Sequence, residues 1–224
     1  MSTHTRTVLV TGANRGIGLA ICRALVARGD RVIAACRSRS DEIESLGVQI
    51  EDGVDVTSDE SIAQLVRRLE GLPIDWLINN AGILTRESLE NMDFDAMRFQ
   101  FEVNSLGPLR VTHALLPQMG PGSKVGIVTS RMGSIEDNTS GSRYGYRMSK
   151  AAVNMAGVSL ARDLNDRGIS VALLHPGYVR TDMTRQSGLI EADEAADGLI
   201  ARMDDLSMST SGSFWHQSGE VLPW

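Results

Sequence analysis

TVLVTGANRGIGLAICRALVARG runs from position 7 to 29, and its reading decides the fold. A short β-branched, apolar run (7–10) leads into a glycine-rich turn, TGANRGIG (11–18), and then into a stretch of helical period. Glycines at 12, 16 and 18 permit a tight turn and let the backbone approach a bound group without Cβ obstruction. Exposed N–H groups and the dipole of the following helix favour an anion there, such as a pyrophosphate. The spacing is Gly-x-x-x-Gly-x-Gly rather than Gly-x-Gly-x-x-Gly, and the turn lacks the Gly-Lys-Ser/Thr of an ATP-hydrolysing loop. The alternative is a strand–helix turn whose glycines serve packing alone.

Outward from this unit the same alternation repeats. Strand-like runs fall at 31–36 (RVIAAC), 47–50 (GVQI), 74–79 (IDWLIN), 124–130 (KVGIVTS) and 169–175 (ISVALLH). Helix-like segments lie at about 17–28, 59–70, 93–118, 146–166 and 192–204. Nearly continuous apolar strands separated by helices predict a parallel sheet covered on both faces. Right-handed crossovers then give a doubly wound α/β sheet flanked by helices, a single Rossmann-type domain over 1–224. No repeat or linker divides the chain. The polar stretch 207–220 holds Phe214 and Trp215 and precedes Trp224, so it is expected to pack on the body.

Composition narrows the function. A net charge of −6 argues against a nucleic-acid surface. No run approaches the ~18 apolar residues of a membrane span, and the apolar run near the N-terminus is too short for a secretory signal. Two cysteines, Cys22 and Cys36, form no disulfide framework, and the scattered histidines (His4, His113, His175, His216) give no metal site. The expectation is a reduced, cytoplasmic protein.

The end of the second strand bears on which nucleotide is bound. A carboxylate there would accept hydrogen bonds from an adenosine ribose and repel a 2′-phosphate. The chain instead reads Cys36-Arg37-Ser38-Arg39. Arg37, with Arg15 from the glycine turn, can offer planar bidentate donors to a phosphate. At about 1.5–3 kcal/mol per charge-assisted bond, the two favour NADP over NAD by roughly 100-fold, with NAD(H) still possible. The alternative, surface arginines only, is preferred for Arg39.

YGYRMSK (144–150) places Tyr146 four residues before Lys150, one of only two lysines in the chain. On a helix the pair shares a face. A nearby ammonium favours phenolate and lowers a phenol's pKa, which suits Tyr146 to proton transfer with a carbonyl or alcohol. Alone, such a pair is more often a helix-surface contact, and its company changes that reading. Ser130 closes the strand KVGIVTS, NNAG (79–82) closes the strand before it, and ligands bind outside the carboxyl ends of such strands. Asn104 lies in a helical stretch where Gly107 and Pro108 predict a kink that frees backbone groups for a water.

These motifs, with Asp55-Val56 and HPGYVRTDM (175–183), occur in the order found in the short-chain dehydrogenase/reductase family. The chain resembles that family throughout, and most of all its C-factor/Sniffer-type carbonyl reductases. The resemblance implies that Tyr146 exchanges the proton and that Lys150 lowers its pKa and holds the nicotinamide ribose. Ser130 would orient the carbonyl and Asn104 would hold a relay water. Cofactor contacts are implied for Gly12, Asn14, Arg15, Gly16, Ile17, Gly18, Arg37, Asp55, Val56, Asn80, Ala81, Gly82, Pro176, Gly177, Val179 and Thr181, besides Tyr146 and Lys150. The segment between Ser130 and Tyr146 is a few residues longer than is commonest in the family. Ser134 is therefore the alternative hydroxyl, and Ser130 is kept for its strand-end position.

The lid segment after PGYVRTD is short, so an open site is expected, lined by Met132, Tyr178 and Met183 unless these are core filler. The leading reading is an NADPH-dependent carbonyl reductase acting on an aldehyde, ketone or alcohol. A nucleotide-binding sensor or signalling protein on the same fold is the alternative. Apolar residues on several sides of 93–118 and 146–166, among them Phe101, Val111, Val153, Met155 and Val158, together with the resemblance, point to a homodimer or homotetramer.

Overall fold

The computed structural model describes residues 5–224. Seven parallel strands form one sheet in the order β3-β2-β1-β4-β5-β6-β7. They are β1 (Thr7–Thr11), β2 (Arg31–Ala35), β3 (Gln49–Glu51), β4 (Trp76–Asn79), β5 (Lys124–Val128), β6 (Ser170–His175) and β7 (Ser213–His216). The chain winds outward from β1 to β3 and then crosses back to place β4 on the other side of β1. The crevice at the carboxyl ends of β1 and β4 is thus the topological switch point, where such sheets take ligands.

The helices are α1 (Gly16–Ala27), α2 (Asp41–Glu44), α3 (Asp59–Arg68), α4 (Phe94–Phe101), α5 (Gly107–Leu115), α6 (Tyr144–Asp163) and α7 (Ala192–Asp205). Side-chain caps from Ser40, Ser58 and Asp93 start α2, α3 and α4. Alternate residues of each strand feed two cores, one on either face. Leu9, Leu77, Ile127 and Leu173 pack with Val111 and Val153, while Val8, Val10, Ile78 and Leu174 pack with Leu25 and Ile200.

Two elements differ from the sequence expectation. The helix expected over 93–118 is broken, and the break is a π turn, Glu102–Leu106, one turn ahead of the kink expected at Gly107–Pro108. Pro108 has no N–H for the carbonyl of Asn104, four residues earlier. The Gly107 N–H bonds instead to Glu102 O, five residues back. Gly107 is also pressed against Val56: a Cβ there would lie 2.9 Å from Val56 Cγ2.

The second difference is β7, which the polar sequence 207–220 conceals. Its register with β6 runs from Ala172↔Ser213 to His175↔His216. Phe214 enters one core and Trp215 the other, and Trp224 stacks on Phe214 with centroids 5.3 Å apart. The segment packs on the body, as expected, through strand pairing.

Candidate active site

The glycine turn is fixed by backbone sterics. Gly12 (φ +65°) and Gly16 (φ +54°) are left-handed. A Cβ on Gly18 would fall 2.2 Å from Gly12 O, and one on Gly12 would fall 2.9 Å from Ala81 Cα. Asn80 locks the turn to the end of β4: its Nδ2 donates to the carbonyls of Thr11 (3.0 Å) and Gly12 (3.1 Å). Thr11 Oγ1 accepts from the N–H groups of Asn80 and Ala81, both at 3.1 Å. Thr181 reaches over the turn, its methyl 3.5 Å from where a Gly16 Cβ would sit. The buried Val179 and Pro176 and the left-handed Gly177 (φ +88°) carry the chain there from β6. Ile17 is half-buried at the start of α1.

On the outer side of the turn, Asn14 Nδ2 donates to Ser38 O (2.9 Å) and Ser40 Oγ donates to Asn14 O (2.7 Å). These bonds draw the segment after β2 beside the turn and place Arg15 and Arg37 on one rim, both exposed. Among the described residues Arg15 makes only a loose pair with the exposed Asp182, at 3.6 Å. Arg39 is paired with Asp52 at 3.2 Å, in keeping with a surface role. The Asp55 carboxylate accepts from Thr57 N (2.9 Å) and Thr57 Oγ1 (2.8 Å), which hold its pKa below the usual carboxylate value. Val56 beside it is buried.

Tyr146 and Lys150 share the inner face of α6, with Nζ 5.7 Å from the phenol ring centroid. The Ser130 hydroxyl is hydrogen-bonded to the Tyr146 side chain and accepts from Met132 N at 3.1 Å. Lys150 Nζ donates to Val128 O at 2.9 Å. Asn104 Oδ1 accepts from Ile83 N (2.9 Å), and its Nδ2 donates to Ile83 O (2.9 Å) and Ser149 Oγ (3.1 Å). Gly82 fits between these groups: a Cβ there would lie 3.3 Å from Asn104 Oδ1 and 3.8 Å from Lys150 Nζ. The four expected catalytic residues therefore meet beside the glycine turn.

The electrostatics depart from the sequence reading in one respect. Tyr146 was expected to be acidified by its lysine; burial instead pushes its pKa up to about 12, with the Ser130 hydrogen bond pulling the other way. A phenolate removed from water is costly. Burial also lowers Lys150 to about 8. At neutral pH the pair is thus a neutral phenol beside an ammonium, a proton donor rather than an acceptor.

Ser134 does not compete for the catalytic role. Its hydroxyl donates to Trp224 O and its oxygen accepts from Asp137 N, both at 3.0 Å, so it braces the loop after Ser130 against the C-terminal segment. Of the expected substrate residues, Met132 is half-buried, while Tyr178 (hydrogen-bonded to Ser187 Oγ) and Met183 are exposed, so none is core filler. The sequence reading missed Arg147, which ties Met132 O to residues 140–142, and Gln100, which holds Thr85 through two bonds of 2.8 Å. It also missed His175, half-buried with its Nδ1 unpartnered. Nothing in their local sequence marks Arg147 or Gln100 as site residues, and His175 opens the HPGYVRTDM motif with no role assigned to it.

A family model described as short chain dehydrogenase matches residues 6–191. The chain belongs to the short-chain dehydrogenase family. It is therefore an oxidoreductase on a Rossmann-type sheet. It is 46% identical to a 1-hydroxy-2-glutathionyl-2-methyl-3-butene dehydrogenase of Rhodococcus sp. (strain AD45), over 97% of this chain and 99% of that one. It is 44% identical to the C-signal of Myxococcus xanthus, over 68% of this chain and 93% of that one. Among solved structures, the NADPH-bound carbonyl reductase from chicken fatty liver superposes with a TM-score of 0.90 at 31% identity, covering 99% of this chain and all of that one. These similarities agree with the C-factor and carbonyl-reductase resemblance read from the motifs. Among the described residues no helix is long and apolar enough to cross a membrane.

Proposed function

We propose that this short-chain dehydrogenase is an NADP(H)-preferring carbonyl reductase in which Tyr146 delivers the proton to an aldehyde or ketone oxygen. One observation carries the reading: a neutral phenol, hydrogen-bonded to Ser130 and backed by the Lys150 ammonium, stands beside a glycine turn that no side chain can fill. The turn and the exposed Arg15 and Arg37 fit a dinucleotide bearing a 2′-phosphate. The bound nicotinamide would supply the hydride chemistry.

The chain's own groups do the rest. Ser130 orients the carbonyl and shares a hydrogen bond with the phenol. Tyr146 gives up its proton as negative charge develops on the substrate oxygen. Lys150 stabilises the phenolate left behind and holds ribose hydroxyls. The Asn104 side chain is engaged by Ile83 and Ser149, so its carbonyl, denied the usual donor four residues on by Pro108, would be the group that holds a relay water. Asn80 acts by locking the turn, and Asp55 by shaping the adenine wall, since both side chains are committed to backbone partners or their own turn.

The exposed Phe99, Phe101, Met148 and Met155 on α4 and α6 would be covered in a homodimer or homotetramer, whereas Val111 and Val153 face the core. The protein would work in the cytoplasm. The similarity to C-signal favours a second reading, nucleotide binding in a signalling role.

A panel of aldehydes and ketones with NADPH separates the two. Reduction by the wild type, falling on the order of 10²–10⁴-fold in Tyr146→Phe while NADPH still binds, supports the enzyme. NADPH binding with no turnover on any member supports the signalling reading.

A further inference from the structure

Non-glycine residues rarely adopt left-handed backbone, at a cost of roughly 1–2 kcal/mol each. Two stand in succession immediately before the catalytic helix: Ser142 (φ 51°) and Arg143 (φ 52°), the latter at the N-cap of α6, three residues from Tyr146. The conformation is imposed from outside. Arg143 N donates to Glu87 O at 2.9 Å. Arg147 grips the segment with three further contacts: Nε to the carbonyls of Gly141 (3.1 Å) and Ser142 (3.2 Å), and Nη2 to Ser140 Oγ (2.9 Å). Its Nη1 reaches Met132 O at 3.4 Å, two residues beyond Ser130.

What this arrangement presents is the Arg143 side chain. Among the described residues its guanidinium has no hydrogen bond or ion pair, although the residue is half-buried. Of the nearby acids, Asp137 pairs with Arg131 at 3.4 Å, and the buried Glu87 carboxylate is hydrogen-bonded to the Thr85 hydroxyl through one oxygen, its other oxygen having no hydrogen-bond partner among the described residues. Arg147 feels its neighbour: burial first, then the Arg143 charge, hold its pKa below the ordinary value. Across the mouth, exposed Arg86 makes, among the described residues, only a long bond to Met183 O, at 3.4 Å. Arg143 is thus tied through its N–H to Glu87, the residue after Arg86, in a chain of net charge −6, with Glu87 and Asp137 the nearby carboxylates.

We propose that this mouth is an anion site, at which Arg143 and Arg86 take a carboxylate carried by the substrate away from its reacting carbonyl. Arg147 is a positioning residue that holds the loop presenting Arg143. The inference rests on the carbonyl-reductase reading and adds a substrate class to it: carbonyl compounds bearing a remote acid. A charge-assisted hydrogen bond is worth about 1.5–3 kcal/mol, a preference of roughly 10–100-fold for the acid over a neutral analogue.

The test compares 4-formylbenzoate with its methyl ester as substrates of the wild type with NADPH. A KM at least about 10-fold lower for the acid is expected, shrinking with added salt. The ratio should fall toward unity in Arg143→Gln, fall less in Arg86→Gln and be partly kept in Arg143→Lys. Equal KM values in the wild type overturn the proposal, as does an unaltered ratio in both glutamine variants. Should Arg143→Gln fail to fold, the salt dependence and Arg86→Gln decide. Should neither aldehyde be reduced, the reductase reading is what fails, and calorimetric titration with benzoate decides the anion site. Binding that weakens in Arg86→Gln supports it, and no binding to the wild type ends it.

Discussion

Gly12, in the floor of the cleft, and Ser142, on its rim, share a left-handed backbone, with φ of +65° and 51°. At Gly12 the conformation is local and steric: a Cβ would lie 2.9 Å from Ala81 Cα, so only glycine fits. At Ser142 a serine is held there by Arg147, which bonds to its carbonyl at 3.2 Å. The floor is built from groups tied to the protein's own backbone: Thr11, Asn80, Asn104 and, through one of its three donors, Lys150. The rim leaves the guanidinium groups of Arg37 and Arg143 exposed or half-exposed and without a bonded partner among the described residues. Hydrogen bonds made to the protein's own backbone hold the floor in place, while on the proposed reading the unused donors of the rim would select charged ligands.

The contrast is most severely tested by acid. His175 ends β6 against the floor, its ring centroid 5.2 Å from that of His216, and burial above all holds its pKa down at about 3 from the ordinary 6.5. Between those values the unfolded chain binds a proton that the folded chain refuses, so stability falls as pH drops below about 6.5. At about 1.4 kcal/mol per pH unit, roughly 3 kcal/mol is lost by pH 4.5. His175→Asn should flatten this slope in denaturant titrations run across that range, whereas rim variants such as Arg86→Gln should not. An identical slope in His175→Asn would show that the floor does not titrate as a buried unit.

On the rim, Arg37→Asp should shift the NADP-to-NAD ratio of dissociation constants by roughly 100-fold, from loss of one charge-assisted bond and gain of repulsion. Fluorescence titration with both cofactors reads it, and an unmoved ratio removes Arg37 from the 2′-phosphate site.

The two left-handed positions sharpen the comparison further. Gly12→Ala should cost about 1–3 kcal/mol by overpacking against backbone. Ser142→Gly trades relieved strain against a more flexible unfolded chain, so a net gain below about 1 kcal/mol is expected, seen as a small rise in Tm. Destabilisation of similar size at both sites would erase the distinction between a floor that requires glycine and a rim that bears imposed strain.

Much of the floor could be read in the chain because its signals are local. A glycine needed for close approach remains a glycine, and a tyrosine four residues before a lysine shares its helix face. Ser130 stands two residues past the carboxyl end of β5, so its place at the cleft followed from the strand itself. Arg147 carried no comparable signal. Its four acceptors belong to residues 132 and 140–142, and only the fold of that loop brings them to one guanidinium. β7 was hidden for a related reason: SFWH becomes a strand by pairing with β6, a contact some forty residues away in sequence.

The direction of the Tyr146 shift was misread in the same way. Sequence spacing set the lysine near the phenol but could not weigh that charge against burial, which depends on everything packed around the ring. What the sequence determined by itself was the parallel α/β sheet, the glycine turn and the four residues proposed for catalysis, because periodicity, backbone sterics and strand ends act over a few residues. What the tertiary structure alone decided was the π turn at Asn104, the protonation state of the pair and the loop that presents Arg143. Each is set by groups far apart in the chain competing for the same space, hydrogen bonds and charge.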